Sequence, residues 1–433
     1  MKPKIGDLVE IETTKGTHKG ALLPSHDKNT TVIKLSSGYN LGIENKNIKS
    51  TKLLEQKKEI KQKEVKITHK KDLKTVAILH TGGTLASEVD YKTGAVTPRF
   101  SPNEIIKMFP EIENIVNVKS KFVSNIWSED MNFKHYNLLA KEIEKEAKAG
   151  VDGIIISHGT DTLHYTSAAL AFILENLNIP VILVGAQRSS DRGSTDAAMN
   201  LICAAKFIAQ TEFSEVAICM HENMKDETCL ILHACKSRKM HSSRRDAFKS
   251  INRKPWARVY FKENKIDVLD NSFRKRESRK LKLDLFKENL KIGFLKAHPN
   301  MTAEEIKIYS KFNGLVLEGY GLAGNFPINK TDKLTAENEK ILKELTSLAK
   351  KIPVVATTQT IFGRINMNVY STGRKMQQAG ILGNLLDMHP ETAFIKLAWL
   401  LSNHPKQVKE LLNHNLRGEI TERLGTEFIE DEY

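Results

Sequence analysis

Two threonines, each presented by a glycine turn, are the residues of this sequence best placed to do chemistry. The apolar run "TVAILH" enters Thr81-Gly82-Gly83-Thr84, and "GIIIS" enters His158-Gly159-Thr160-Asp161-Thr162. Glycine lets a backbone turn sharply and lie close to a ligand. Such a turn either cradles a phosphate or presents a hydroxyl. The phosphate use needs a lysine in the GxxxxGK[ST] pattern, and none follows the first turn. For the hydroxyl use, a threonine is inert at neutral pH until a base takes its proton. The candidate partners are Tyr91, Asp161 beside Thr160, and Lys239 in "SRKMHSSRRDAF". A lysine serves as base where burial or neighbouring cations lower its pKa. Arg238, Arg244 and Arg245 supply such neighbours in the chain. The plainer alternative is that Thr84, or Thr160 with Asp161, merely caps a following helix.

Two further patterns carry less. "GYGLAGN" (residues 319–325) matches GxGxxG after an apolar run. Pro327 and the polar residues beyond it open no clean helix, so the match reads as a turn. In "CLILHAC", alternation places Cys229, Ile231, His233 and Cys235 on one strand face, with His221 nearby. The spacing is not that of a zinc knuckle, a packed strand face is the better reading, and no metal ligand set is assigned. His158 and His164 read as structural.

These loops need strands to end on. From residue 74 onward apolar strands ("TVAILH", "DGIIISHG", "IPVILVGA", "EVAICMH") alternate with helical stretches ("NLLAKEIEKEAKAG", "TSAALAFILENLN", "STDAAMNLICAAKFIA"). That alternation predicts a parallel α/β sheet, whose ligands sit at the carboxyl ends of its strands. The pattern restarts near residue 291 with "KIGFLKA", "GLVLEGYG" and "IPVVATTQ". The expected fold class is α/β with two doubly wound units, preceded by a small all-β barrel. The expected divisions are 1–54 (β-barrel), 55–73 (lysine-rich linker), 74–290 (large α/β domain bearing the threonines) and 291–433 (smaller α/β domain), with 236–290 read as a polar joint.

The chain of 433 residues carries a net charge of +14, unevenly spread. Residues 1–75 hold 17 lysines against 9 acidic residues, a net +8, and residues 236–280 hold 16 cations against 5 acids, a net +11. Two basic stretches on an otherwise mildly acidic chain suggest a polyanionic partner; a lysine-rich surface with no partner is the bland alternative. Four cysteines with no paired spacing favour a reducing setting. No apolar run has the length of a membrane span. A cytoplasmic protein without membrane attachment is expected.

The motifs "HTGGTLAS", "SEDM", "HGTDTLHYTSAALAF", "GAQRSSDRGSTDAAMNL", "RKMHSSRRDAFKS", "EGYGLAGNFP" and "TTQTIFGRINMNVYSTGRKMQQAGIL" together resemble the L-asparaginase/glutaminase family over residues 75–420. The extra N-terminal β region and the linker resemble those of the D subunits of archaeal-type glutamyl-tRNA(Gln) amidotransferases. The resemblance implies an asparaginase-like fold and assigns roles. Thr84 is the first catalytic threonine, with Tyr91 as its lid partner. Thr160, Asp161 and Lys239 form the second catalytic group. Ser128 and Glu129, with Asp161, hold the amino and carboxylate groups of the substrate. The interval from Thr84 to Tyr91 is shorter than in secreted asparaginases. The implied function is ammonia release from glutamine or asparagine through a threonine acyl-enzyme. That ammonia then serves to convert Glu-tRNA(Gln) to Gln-tRNA(Gln). The resemblance further implies a kinase/transamidase partner, the E subunit, which uses ATP and Mg, no cofactor on this chain, and a homodimer within a heterotetramer. A free-standing cytoplasmic L-asparaginase and a catalytically idle tRNA-binding scaffold are the competing readings.

Overall fold

The computed structural model describes residues 3–23, 25, 27, 29–35, 40–55, 69–83, 87–89, 96–98, 105–106, 108–188 and 195–425. Near the N-terminus, Leu8–Thr13, Gly16–Leu23, Thr30–Leu35, Asn40–Glu44 and Ile48–Glu55 form one antiparallel sheet. Val9, Ile11 and Thr13 alternate inward along its first strand, the period of two that a one-faced sheet requires. Val9, Ile11, Ile33 and Ile43 make its small core. The last two strands are consecutive in the chain and joined by the short turn Asn45–Asn47, yet they lie on opposite edges of the sheet. A turn that short bridges the two edges only when the sheet curls.

The main body is an eight-stranded sheet. Its order is Ile266–Val268, Ala257–Tyr260, Thr228–His233, Val216–His221, Val181–Val184, Gly153–Ser157, Thr75–His80 and Asn117–Phe122. The last five are mutually parallel, and the first three are antiparallel. Every residue of Gly153–Ser157 and of Val181–Val184 is buried, as expected where helices cover both faces. Helices Phe133–Lys148 and Leu163–Ile173 pack into the core on one face, and Ala197–Gln210 into the core on the other. The helix Phe133–Lys148 begins where the Asn132 side chain accepts from Lys134 N at 3.1 Å, and it ends before Gly150, whose φ is +80°.

A second sheet of three parallel strands, Ile292–Lys296, Gly314–Gly319 and Val354–Thr358, carries the C-terminal part. Helix Pro390–Asn403 joins the two sheets, since Ala393, Ile395, Leu397 and Trp399 lie in the same core as Leu163 and Phe172. The stretch 236–290 is more than the polar joint its composition suggests. Ala257–Tyr260 and Ile266–Val268 within it extend the main sheet. Ala257–Tyr260 reads as polar because a strand with one solvated face alternates its burial.

Candidate active site

The strands Thr75–His80 and Gly153–Ser157 are parallel neighbours, so their carboxyl ends emerge side by side. Thr81 ties the first exit to the second: its N and its Oγ1 both donate to Ser157 O, at 3.1 and 2.9 Å. Gly82 and Gly83 follow at φ +115° and +83°. A Cβ on Gly83 would stand 2.8 Å from Gly159 N, and one on Gly159 would stand 2.8 Å from Ser128 Oγ. Three backbone segments therefore converge at van der Waals distance because two of them carry no side chain. Thr162 fastens the third, its Oγ1 donating to Ser128 O at 2.5 Å. Gly185, at the end of the next strand, closes the floor: a Cβ there would meet Thr160 Cγ2 at 2.8 Å.

Lys239 reaches this point from the two-stranded ladder Ser237–Lys239/Phe248–Ser250. Its ammonium donates to Thr160 Oγ1 at 2.9 Å and to Asp161 Oδ1 at 2.8 Å. Thr160 is buried, while the Asp161 side chain is 63% exposed. The lysine thus links a buried hydroxyl to a carboxylate that faces solvent. Two histidines flank the site in neutral form. Burial pushes His158 down to about 4 against a lesser opposing effect of its bond to Gly159 O, and its Nε2 pairs with Thr166 Oγ1 at 2.8 Å. Burial pushes His164 down to about 3. Neither is a general base at neutral pH. Among the described residues, Lys239 is the ionisable side chain in hydrogen-bond contact with the Thr160 hydroxyl. A nucleophile, a proton carrier and an orienting carboxylate in hydrogen-bond contact suit acyl transfer.

Comparisons with known proteins show which family the chain resembles. Residues 75–274 match the family model "Asparaginase, N-terminal", residues 291–412 match "Glutaminase/Asparaginase C-terminal domain", and residues 4–54 match "GatD N-terminal domain". Among solved structures, the thermostable L-asparaginase from Thermococcus kodakarensis superposes with a TM-score of 0.70 at 28% identity. It covers 80% of this chain and 99% of its own. L-asparaginase I from Vibrio cholerae gives 0.67 at 26% identity, over 81% of this chain and 99% of its own. A curated relative from Methanococcus maripaludis, the D subunit of glutamyl-tRNA(Gln) amidotransferase, is 42% identical over 98% of this chain and 99% of its own length. The chain belongs to this family. A D subunit from Pyrococcus furiosus is equally similar at 42% over 96% of this chain. The protein is thus an amidotransferase D-subunit family member built on an asparaginase-like α/β body, with an N-terminal β sheet that the asparaginase models do not cover.

The amidotransferase fold brings together four of the residues singled out from sequence: Ser128, Thr160, Asp161 and Lys239. Thr84 and Tyr91 lie outside the described residues; Gly83, the neighbour of Thr84 in the chain, abuts Gly159. Glu129 sits in the short turn Ser128–Asp130 beside the buried Ser128 and is itself exposed. The helix-cap alternative for Thr160 and Asp161 does not hold. The helix begins at Leu163 after Thr162, with no side-chain cap. Asp196 likewise makes no cap bond to the helix after it, and its carboxylate instead accepts from Gln187 N and Arg188 N at 3.0 Å each. The GxGxxG match is a turn, in which Tyr320 and Asn325 pair across Gly321 and Gly324.

Sequence reasoning missed a charged group behind the site. Arg238 pairs with Glu391 at 2.8 Å, His389 Nδ1 bonds Glu391 at 2.9 Å, and buried Lys236 pairs with buried Asp387 at 2.6 Å. The second basic stretch also differs from expectation. Most of its cations face acidic partners: Arg244 and Lys249 with Asp246, Arg245 with Asp226, Arg253 with Asp270, Arg258 with Glu222, Lys265 with Asp267, Arg274 with Glu215 and Arg279 with Glu277, besides Lys236, Arg238 and Lys239. Those partners lie partly outside residues 236–280, which is why a local charge count overstated the free charge.

Proposed function

We propose that this chain releases ammonia from the side-chain amide of glutamine for the amidation of Glu-tRNA(Gln). A threonine oxygen, on Thr84 or Thr160, attacks the amide carbon. A C–O bond forms, the C–N bond breaks, and the hydroxyl proton passes to the departing nitrogen, which leaves as ammonia. Water then cleaves the ester, gives glutamate and restores the hydroxyl. Lys239, in contact with the Thr160 oxygen, is the carrier between that oxygen and the nitrogen. Asp161 orients Lys239 and, with Ser128 and Glu129, takes the substrate's ammonium and carboxylate. Thr84 and Tyr91 complete the first half of the site. Backbone N–H groups at the Gly82–Gly83 turn are the natural donors to the tetrahedral oxyanion.

One observation carries the reading: Lys239 touches both Thr160 and Asp161 beside the Gly83–Gly159 contact. It also disfavours the idle-scaffold alternative, which gives no reason for that contact. The named relatives are amidotransferase subunits along nearly their whole length, whereas the asparaginases leave about a fifth of this chain unmatched. This favours an amidotransferase component over a free-standing asparaginase. We expect a homodimer within a heterotetramer, an E subunit as the partner that supplies ATP- and Mg-dependent activation of the glutamyl group, no cofactor on this chain, and a cytoplasmic setting. Among the described residues no helix is long and apolar enough to cross a membrane.

The test is ammonia release from glutamine and asparagine, with and without the partner subunit and glutamyl-tRNA. Thr84→Val, Thr160→Val and Lys239→Ala should each remove nearly all activity in folded protein, and their combinations should lose little more, because groups acting as one unit are not additive. Wild-type release should rise when partner and tRNA are added. Ordinary activity in folded Thr84→Val would remove Thr84 from the mechanism, and full activity indifferent to tRNA would favour the plain asparaginase.

A further inference from the structure

We propose that Glu391, in the C-terminal part of the chain, is a positioning residue that fixes Lys239 against Thr160 by way of Arg238. The proposal rests on the amidohydrolase reading given above and names what holds its lysine in place. Lys239 ends a three-residue strand with a single neighbour, Phe248–Ser250. Two short strands alone are marginal, so something else must hold this one. The preceding residues are gripped by the segment 387–392. Thr392 Oγ1 donates to Cys235 O at 2.9 Å. Lys236 Nζ donates to Asp387 O and Oδ2 at 3.1 and 2.6 Å. Arg238 meets Glu391 at 2.8 Å.

Parity sets the direction of the grip. Along an extended chain successive side chains point to opposite faces. Arg238 reaches back to Glu391, while Lys239 faces Thr160 and Asp161. The carboxylate therefore draws on the backbone from behind the lysine. It is also well anchored. His389 Nδ1 lies 2.9 Å from one Glu391 oxygen, and His389 Nε2 lies 3.0 Å from Thr392 Oγ1. Burial alone would raise Glu391; the hydrogen bond and charge of His389 and the charge of Arg238 outweigh it and hold the carboxyl down at about 2. At working pH the Arg238–Glu391 pair is thus ionised on the carboxylate side.

The experiment compares Glu391→Gln and Glu391→Asp with Glu419→Gln. The last breaks a different buried ion pair, Lys396–Glu419 at 2.6 Å, which touches no site residue. Each full-length protein is assayed in the assembled enzyme for kcat and KM toward glutamine. In parallel, the rate at which Lys239 is acylated by acetic anhydride is followed by mass spectrometry. A lysine displaced by a fraction of an ångström should cost on the order of 10-fold or more in kcat with KM unchanged. Glu391→Gln should show that loss and a changed Lys239 acylation rate, and Glu391→Asp should recover most of both. Glu419→Gln should lose stability alone. The proposal is overturned if Glu391→Gln behaves as Glu419→Gln does, with kcat per folded molecule and Lys239 acylation unaltered. Should the wild type release no ammonia while Lys239 acylation still responds to Glu391→Gln, the amidohydrolase reading fails and the positioning role stands.

Discussion

Replacing Gly83 by alanine tests whether the two threonine loops must touch. The added Cβ would lie 2.8 Å from Gly159 N, 3.0 Å from Gly159 Cα and 3.0 Å from His158 C, all backbone atoms that no rotamer change can move. Ordinary contact begins at 3.4 Å, so one loop must shift by about 0.6 Å. If a misplacement of ~1 Å costs about 100-fold, a shift of this size costs on the order of 10-fold in kcat. Alanine at φ +83° adds backbone strain of roughly 1–2 kcal/mol. Gly150 separates the two effects. It has φ +80° but open space where its Cβ would go. Gly150→Ala should therefore lose a similar 1–2 kcal/mol and keep its kcat. The assay is glutamine hydrolysis normalised to folded protein, paired with urea denaturation of both variants. Equal kcat in Gly83→Ala and Gly150→Ala would refute the claim that the Gly83–Gly159 contact sets the site's geometry.

Acid should destabilise the fold earlier than carboxylate protonation predicts. Burial holds His80 and His164 at about 3 and His158 at about 4 in the folded chain, against about 6.5 when unfolded. The unfolded state therefore binds more protons from pH 6.5 down to those values, so stability is whole above 6.5 and falls through this window by a few kcal/mol between pH 7 and pH 5; a urea midpoint flat over that range would contradict it. Removing residues 1–72 should weaken association with the partner–tRNA assembly and flatten its salt dependence while glutamine hydrolysis persists. The cations of residues 236–280 are largely paired internally, and residues 1–75 carry the other excess, +8. Affinity measured against salt concentration for both chains checks this, and identical slopes would remove the N-terminal charge from binding.

What was legible in the sequence is what is local. A continuous apolar run ending in glycine, as in "TVAILHTGG" and "GIIISHG", betrays a buried parallel strand and the turn beyond it. The structure keeps both, with Gly82 and Gly83 at positive φ. The link from Lys239 to Thr160 was legible only through resemblance, because no periodicity relates residues from separate strands. Glu391 and Asp387 escaped altogether. Each looks like an ordinary charge near a helix start, and its meaning comes from an arginine and a lysine far away in the chain. The pairing of the basic stretch was hidden for the same reason. Charge counted along a chain ignores partners brought in by folding, and Glu222, Asp226 and Glu215 offset part of what the count left free.

The buried Lys236–Asp387 pair also bears on how this protein is born. Both side chains are wholly shielded from solvent, and the two residues are 151 positions apart. A ribosome emits Lys236 long before Asp387. During that interval the large α/β part can close over the lysine only without its counter-ion, at a cost of about 3–5 kcal/mol. The hairpin that delivers Lys239, three residues further on, therefore stays unsettled in a nascent chain until the C-terminal part has emerged. A fragment cut short by stalled translation or by proteolysis before residue 387 holds both glycine turns and Thr160 yet lacks the counter-ion that seats the lysine. A chain that stops before residue 387 thus carries Thr160 without the ion pair that seats the strand bearing Lys239.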